Sequence, residues 1–267
     1  MDLKRVSSTV LGLPMVIIVL LLGNKYVIDV ALAIVAVIAL HEYFNAFSKY
    51  KPIKWIGYLS AISISLIHII PEDMLLKTIA LVIPVIVIVL FMQLVIKNMK
   101  ISIIDIAITL FGICYIVLFI LFIPLMAGEE NGKIYIWYIF IISWGTDIFA
   151  YLVGKRFGKH KFSKISPNKS IEGCVAGIVG AVVLALIYTF FVNKFAPVHV
   201  ISYVAITIVA IILSIVGQFG DFSASSIKRF VGIKDFSNLI PGHGGILDRI
   251  DSLIFIAPFA YILLMFI

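Results

Sequence analysis

Long apolar stretches separated by short polar connections follow one another along the whole chain. Nine such stretches can be drawn, and each has about the length needed to cross a hydrocarbon core roughly 30 Å thick as a helix. They cover residues 8–23, 26–47, 55–70, 74–95, 101–127, 133–153, 171–192, 198–219 and 246–267. Helices are favoured over strands because a helix satisfies its own backbone polar groups in lipid. The pattern predicts an all-α, polytopic membrane bundle of about nine transmembrane helices.

The composition agrees with this interpretation. Of 267 residues, 63% are hydrophobic and only 13% are charged, whereas a soluble domain is about half apolar and about a quarter charged. The basic residues Lys4 and Arg5 precede the first apolar stretch, as in a signal peptide, but no small-x-small cleavage site follows. We therefore expect an uncleaved first span.

The positive charges predict the orientation of the bundle. Seventeen of the 21 lysine and arginine residues fall on one side if the connections are assigned alternately, and positive residues mark the cytoplasmic side. We therefore expect a multi-pass protein of the cell membrane with a cytoplasmic N-terminus. The net charge of +7 is mostly a topology signal, and no nucleic-acid partner is predicted. The six cations within residues 155–169 exceed what orientation requires, which favours a polyanionic ligand there.

Polar residues that could take part in binding or catalysis are concentrated in the second half of the chain. We divide the chain into an N-terminal transmembrane region, residues 1–132, with about five spans, and a C-terminal catalytic region, residues 133–267. The latter contains two large polar connections, both predicted on the cytoplasmic side. The candidate active site is therefore expected to face the cytoplasm.

The first polar connection follows an acidic residue placed inside a span. Asp147 lies about two turns before the basic run, and an ionised carboxylate within the apolar zone is costly unless it is paired or binds metal. The alternatives are a helix-packing hydrogen bond or a salt bridge to Lys155. Ser170 follows Lys169 and can cap the next helix, although Glu172 does not complete a capping box.

The second polar connection combines a charged stripe with a glycine-rich turn. If residues 220–230 are helical, one face carries a carboxylate, a hydroxyl and two cations. These are Asp221, Ser225, Lys228 and Arg229. Residues 241–245 (Pro-Gly-His-Gly-Gly) cannot form a regular helix, so the backbone can approach a ligand closely there. Asp248 and Asp251 follow three residues apart and share a helix face.

These carboxylates suggest a site for hard cations. Asp221 and Asp248 come from helices joined by a turning loop and can converge, and Asp147 could join them. Mg²⁺ prefers such oxygen ligands together with substrate phosphates, and two such ions could clamp a phosphoryl displacement. For His243, a structural hydrogen bond and a phosphate contact stay equally open. The His41-Glu42 pair could orient a lipid headgroup, although hydrogen bonding between helices is the favoured interpretation.

A long C-terminal pattern resembles that of the phosphatidate cytidylyltransferase family. The matching residues are Ser225, Lys228-Arg229, Lys234-Asp235, Ser237, Pro241, His243-Gly244-Gly245, Asp248-Arg249 and Asp251. The Asp147 segment and Ser166-Pro167-x-Lys169-x-x-Glu172-Gly173 also resemble the family. Asn168-Lys169-Ser170 departs from its Lys-Lys-Thr but keeps the central lysine. The resemblance covers roughly residues 143–252.

The resemblance implies a Mg²⁺-dependent reaction of CTP with phosphatidate that gives CDP-diacylglycerol and pyrophosphate. It also implies that membrane lipids surround the protein and that two copies form a homodimer. Metal would be held at Asp221 and Asp248, with Asp147 as a further candidate, and two metal sites are expected. The catalytic set is Asp221, Ser225, Lys228, Arg229, Lys234, His243, Asp248 and Asp251. The nucleotide-binding set is Lys169, Ser170, Lys228 and Arg229.

Three alternatives compete with this function. A CTP-dependent polyprenol kinase would use the same nucleotide but transfer the γ-phosphate to an alcohol; the long C-terminal pattern favours the cytidylyltransferase. A cation transporter would show inverted repeats and carboxylates near the bilayer midplane, and the sequence shows neither. A non-catalytic membrane scaffold would leave the glycine-rich turn without an explanation.

Overall fold

A computed structural model of the chain describes residues 14–98, 100–163, 166, 169–196, 200–240, 242 and 244–265. Within these residues the predicted all-α fold is confirmed: helices follow one another, and pairing between extended segments is limited to two isolated bridges. The bridges join Lys161 to Ser170 and Ile240 to Gly244. His243, one of the predicted catalytic residues, lies outside the described residues.

The helices agree closely with the apolar stretches of the sequence. In chain order they are α1 (residues 14–22), α2 (Lys25–Ala46), α3 (Lys54–Ile62), a 3₁₀ helix (Ser63–Ile69), α4 (Glu72–Ile96), α5 (Ile103–Gly112), a π-helix (Ile113–Leu118), α6 (Phe122–Gly128), α7 (Gly132–Phe157), α8 (Ile171–Phe195), α9 (Tyr203–Val231) and α10 (Leu247–Leu264). Six segments among the described residues are long and apolar enough to cross a membrane, namely α2, α4, Ile103–Gly128, α7, α8 and α9.

The remaining predicted spans correspond to shorter or more polar helices. Lys54–Ile69 is apolar but shorter, and α10 has 18 residues and begins with three charges close together. The first predicted stretch, residues 8–23, lies partly outside the described residues. The polytopic helical architecture is thus confirmed.

Helix α9 continues further than the sequence suggested. The predicted span ends at residue 219 and is followed by a polar connection, but α9 runs without a break for 29 residues to Val231. Ser202 caps its start by accepting from the amide of Ala205, and Gly232 ends it in the left-handed conformation, at φ 80°, which favours glycine. Asp221, Ser225 and Lys228 therefore lie on the membrane-spanning helix itself.

The chain forms two compact units. The first consists of the described parts of Met1–Gly128 together with Ile233–Arg249, and the second of Glu129–Gly232 together with the described part of Ile250–Ile267. The boundary thus falls within α10, after Arg249.

In the first unit, α2 packs against α3, the 3₁₀ helix and α6. Tyr43 and Phe44 of α2 are fully buried in this core. Their rings lie where glycines leave space, since a Cβ on Gly112 would stand 2.7 Å from the Tyr43 ring and one on Gly57 would stand 2.7 Å from the Phe44 ring.

In the second unit, glycines allow α8 to lie directly on α7. A Cβ added at Gly177 would stand 2.8 Å from the carbonyl oxygen of Thr146, and one at Gly173 would stand 2.8 Å from that of Ala150. Small residues of this kind let the two helix backbones approach closely. The hydroxyls of Thr146 and Ser214 lie 2.8 Å apart and join α7 to α9.

Candidate active site

The stripe predicted on α9 is present and mostly buried. The hydroxyl of Ser225 donates to Oδ1 of Asp221 at 3.4 Å. Ser225 and Lys228 are each only 9% exposed, and Asp221 is partly exposed. Arg229 lies in the last turn and is exposed. Three of the four predicted residues therefore occupy a sheltered face, and Arg229 extends from its edge.

Lys169 brings the first polar connection to this stripe. Its ammonium group forms an ion pair with Oδ2 of Asp221, and its Nζ lies 4.4 Å from the centroid of the Phe222 ring. That ring stacks on Phe162, with centroids 4.6 Å apart. A cation above an aromatic face and beside a carboxylate is held electrostatically on both sides, so Lys169 is positioned by contacts within the protein.

A short hairpin sets the position of Lys169. The amide of Phe162 donates to the carbonyl oxygen of Lys169 at 3.0 Å, and the amide of Ile171 donates to that of His160 at 2.9 Å. His160 Nδ1 also lies 2.6 Å from Oε1 of Glu172. These bonds close the chain just before α8 and direct Lys169 towards α9.

Ser170 caps helix α8. Its hydroxyl accepts from the amide of Gly173 at 3.1 Å, and the residue is only 5% exposed. A cap at this position satisfies a backbone donor of the first turn without a capping box. The capping role, for which the sequence offered only weak support, is therefore confirmed, while the predicted nucleotide contact of Ser170 stays a prediction.

Asp251 of α10 belongs to the same cluster. It is 7% exposed, and it lies within electrostatic range of Asp221, Lys228 and Asp147. Its Oδ1 accepts from the amide of Ser252 at 2.8 Å. The second unit thus gathers three carboxylates with the ammonium groups of Lys169 and Lys228. We call these five residues the carboxylate cluster.

Glycine at position 220 determines how closely α9 and α10 approach. A Cβ there would stand 2.6 Å from the carbonyl oxygen of Asp251 and 2.9 Å from the Cβ of Phe255. Such short distances cannot be accommodated without movement of the α10 backbone. The absence of a side chain next to Asp221 is what allows Asp251 to approach it.

In the first unit, Asp248 stabilises the glycine-rich turn. Its Oδ2 accepts from the amide of Phe236 at 2.8 Å and from that of Gly245 at 3.0 Å. Gly244 has a φ of 82°, and a Cβ on it would stand 2.9 Å from the same oxygen. Lys234 is exposed on this loop. The pairing of Asp248 with Asp221 at a metal joins residues of different units and stays a prediction.

Glu42 was not assigned to this loop from the sequence. It lies in α2, is only 3% exposed, and accepts from the hydroxyl of Ser237 at 2.6 Å. It also accepts from the amides of Ile246 at 3.0 Å and Leu247 at 2.8 Å. The hydrogen-bonding interpretation of Glu42 is confirmed, and its partners are the loop and the first turn of α10. The signal in the sequence was a carboxylate within an apolar helix.

The carboxylate cluster has the donor chemistry of a magnesium site. Mg²⁺ commonly takes only one or two carboxylates, with phosphate and water oxygens completing its octahedron, and Asp221 and Asp251 are donors of this type. Among the residues that the structure describes, no three His, Cys, Asp or Glu side chains are grouped so as to hold a metal ion. A metal here would need phosphate and water oxygens to complete its coordination, and the predicted Mg²⁺ site stays a prediction.

Comparison with known proteins shows which protein family the chain matches. A family model described as the cytidylyltransferase family matches residues 3–267. The chain is 41% identical to the phosphatidate cytidylyltransferase of Bacillus subtilis (strain 168) over 166 residues, which are 62% of the chain and 58% of that protein. The corresponding protein of Staphylococcus haemolyticus (strain JCSC1435) is 41% identical over 63% of the chain and 62% of its own length.

A third relative aligns over almost its whole length. The phosphatidate cytidylyltransferase of Staphylococcus aureus (strain COL) is 36% identical over 265 residues, which are 97% of the chain and 98% of that protein. The matches to the Bacillus subtilis and Staphylococcus haemolyticus proteins span about three fifths of those proteins. The similarity therefore extends well beyond the polar C-terminal pattern.

Proposed function

Because the chain belongs to the cytidylyltransferase family, we propose that it transfers the CMP group of CTP to phosphatidate, giving CDP-diacylglycerol and pyrophosphate. The observation that carries the proposal is the carboxylate cluster, in which Lys169 meets the stripe of α9. The three relatives named above are phosphatidate cytidylyltransferases by name. A membrane-spanning scaffold also suits a substrate that is itself a lipid.

The reaction needs charge neutralisation more than proton transfer. A phosphate monoester has a second pKa near 6, so the phosphatidate phosphate is largely dianionic at neutral pH and attacks without a general base. Its oxygen forms a bond to the α-phosphorus of CTP while the bond from that phosphorus to the bridging oxygen of the β-phosphate breaks. The electron pair leaves with pyrophosphate. Both reactants are polyanions, so positioning and positive charge dominate catalysis.

The two buried or half-buried lysines supply that charge from fixed positions. Lys228 lies on the sheltered face of α9, and Lys169 stands against Asp221. When a phosphate enters, the ammonium group of Lys169 can exchange its carboxylate partner for a phosphate oxygen. Ser225 donates a hydrogen bond to Asp221. Arg229, exposed at the end of the stripe, is suited to the outer phosphates of the nucleotide.

Magnesium is part of the proposal. Asp221 and Asp248 are the ligands that the family pattern implies, with Asp147 as a further candidate, and Asp251 is added here as a proposed ligand because it lies within electrostatic range of Asp221. When bound, the metal supplies positive charge to the oxygens of the reacting phosphates. The family pattern is the ground for proposing catalytic contacts of Lys234 and His243, a second metal site and a homodimer. The distribution of lysine and arginine is the ground for proposing a cell-membrane location with a cytoplasmic active site.

The test is a turnover assay on the purified full-length chain in detergent. CTP labelled at the α- or the γ-phosphate is supplied with phosphatidate, with and without Mg²⁺, beside the Asp251→Asn variant. We expect the α-label in the lipid product, a requirement for Mg²⁺, and a loss of activity in the variant at an unchanged gel-filtration position. Transfer of the γ-label would instead indicate a kinase. No transfer by folded wild-type protein would overturn the enzymatic proposal.

A further inference from the structure

A cavity lined by several lysines lies in the first unit, and its lining shares no residue with the candidate active site. It has a volume of about 460 Å³ and opens where the connection from α2 to α3 meets the end of α4. The polar and aromatic side chains that line it are Tyr50, Lys51, Lys54, Trp55, Gln93 and Lys97. None of the proposed catalytic steps uses this cavity.

The charge of the cavity has one sign. Three lysines line it, and its lining contains no acidic residue. The ammonium group of Lys54 donates to Oδ1 of Asn45 at 2.8 Å, so this cation is held at the cavity by a neutral partner. The carboxylate of Asp105, outside the lining, acts electrostatically on Lys51. Three lysines against one carboxylate still leave a net positive charge, which an anion bound in the cavity would offset.

The wall of the cavity is held in place by hydrogen bonds to α5. The amide of Lys51 donates to Oδ1 of Asp105 at 2.8 Å, and the amide of Ile53 donates to the hydroxyl of Thr109 at 2.8 Å. Asp105 is itself fixed in a capping box with Ser102. A site whose backbone is already ordered loses less conformational entropy when a ligand binds.

The position and the aromatic residues of the cavity favour a lipid. It lies at the end of α2 and of α4, two helices that are long and apolar enough to cross a membrane. Trp55 is 49% exposed at its rim, and tryptophan and tyrosine concentrate at the headgroup level of membranes. Phe44 and Ile53 add apolar surface to the lining. Basic pockets between transmembrane helices are suited to anionic headgroups.

We propose that this cavity binds the headgroup phosphate of an anionic phospholipid from the adjacent membrane leaflet. Lys51, Lys54 and Lys97 contact the phosphate, while Trp55 lies beside the glycerol and the first part of the acyl chains. The inference does not depend on the proposed reaction, because no residue is shared between the two sites.

The test uses the full-length protein and native mass spectrometry from detergent, with phosphatidylglycerol and phosphatidylcholine of identical acyl chains as probes. The variant is Lys51→Gln with Lys97→Gln. The matched control is Lys49→Gln with Lys100→Gln, which removes two exposed lysines from the same connections but outside the lining. We expect wild type and control to retain phosphatidylglycerol preferentially, and the variant to bind it about fivefold more weakly for each lysine removed.

Three results would overturn the proposal. The first is equal loss of phosphatidylglycerol in variant and control, or no loss in either. The second is equal retention of phosphatidylcholine by the wild type. The third is displacement of the lipid by millimolar inorganic phosphate, which would indicate a site for soluble anions. Gel filtration verifies the fold of each variant. If the double variant aggregates, the single variant Lys97→Gln replaces it, and we expect that variant to show about half of the effect on a logarithmic scale.

Discussion

At the scale of single residues, Lys169 is the most informative side chain of the second unit. It follows the hairpin before α8, yet its ammonium group pairs with Asp221 on α9. It also stands over the ring of Phe222. The lysine neutralises one carboxylate of the carboxylate cluster. In the proposed reaction an incoming phosphate would compete for it, so the ion pair would hold a cation ready for the substrate.

Replacement of Lys169 by Gln tests this role. We expect kcat/KM for CTP to fall by about 10- to 100-fold, since a hydrogen bond to a charged group is worth about 1.5–3 kcal/mol. Lys159→Gln, which removes an exposed lysine from the same connection, should leave kcat/KM unchanged. The role is refuted if both variants lose activity equally or if Lys169→Gln retains full activity.

Glu42 has an equally specific role in the first unit. One buried carboxylate accepts from one hydroxyl and two amides, and the two amides belong to the start of α10, where unpaired donors and the helix dipole favour a negative charge. The same contact explains Gly245, because a Cβ there would stand 2.5 Å from Oε2 of Glu42. Glu42 thus holds the glycine-rich turn and the helix together.

Removing this carboxylate should destabilise the protein. We expect Glu42→Ala to lower the free energy of unfolding by about 2–4 kcal/mol, since it leaves two buried amides without an acceptor. Thermal unfolding in detergent is the measurement. Glu42→Gln, which retains one acceptor oxygen, should lose less, and Glu130→Ala, at an exposed position, should lose almost nothing. Equal midpoints for Glu42→Ala and Glu130→Ala would contradict the assignment.

At the scale of helices, closely packed glycines determine the geometry of the second unit. Gly173 and Gly177 bring α8 onto α7, and Gly217 and Gly220 bring α10 onto α9. Small residues permit this approach where lipid offers no hydrophobic driving force for association. Four of the five residues of the carboxylate cluster, all but Lys169, lie on helices packed in this way, so their separation depends on how closely the helix backbones approach.

Gly220→Ala tests the contact between α9 and α10. The added methyl group would stand 2.6 Å from the carbonyl oxygen of Asp251, so α10 must move, at a cost of about 1–3 kcal/mol. We expect a lower unfolding midpoint and a loss of turnover of about tenfold or more, because small displacements of reacting groups are costly. The control is Gly232→Asn, where nothing lies within 4 Å and asparagine tolerates positive φ. Unchanged turnover in Gly220→Ala would contradict this account.

At the scale of the whole molecule, charge and hydropathy describe how the chain enters a membrane. Seventeen of the 21 lysine and arginine residues are predicted on one side, and this orientation stays a prediction, because the helix bounds do not fix which side of a membrane each connection occupies. On this prediction, the two polar connections of the C-terminal half would face the cytoplasm, the side from which a soluble nucleotide would reach them.

Cysteine accessibility tests this orientation. Cys114 and Cys174 are first replaced by Ala, and single cysteines are introduced at Lys159 or Lys194, both exposed. A maleimide that cannot cross membranes should label position 194 in intact cells. It should label position 159 only after permeabilisation. The reverse pattern would invert the topology and place the candidate site on the outer face.

The sequence by itself determined the helical fold class and supplied most of the candidate site residues. Apolar runs of membrane length must be helical because each helix pairs its own backbone groups over four residues, so the fold class needs no distant contact. Asp221, Ser225 and Lys228 could be placed on one face by the same local geometry. Polar residues of this kind in an apolar chain are recognisable as functional from their setting in the sequence, because their burial in lipid is costly.

Only the tertiary structure decided which of these residues meet. Lys169 pairs with Asp221, 52 positions away, and Glu42 contacts the start of α10, 205 positions away. Asp248 holds the loop of the glycine-rich turn through Phe236, 12 positions away. The end of α9 at Val231 was also visible only in the structure, because hydropathy marks the apolar part of a helix and gives no sign of a helix that continues into a polar segment. Local periodicity reports which face a residue occupies, whereas the neighbour on that face is set by how separate helices pack.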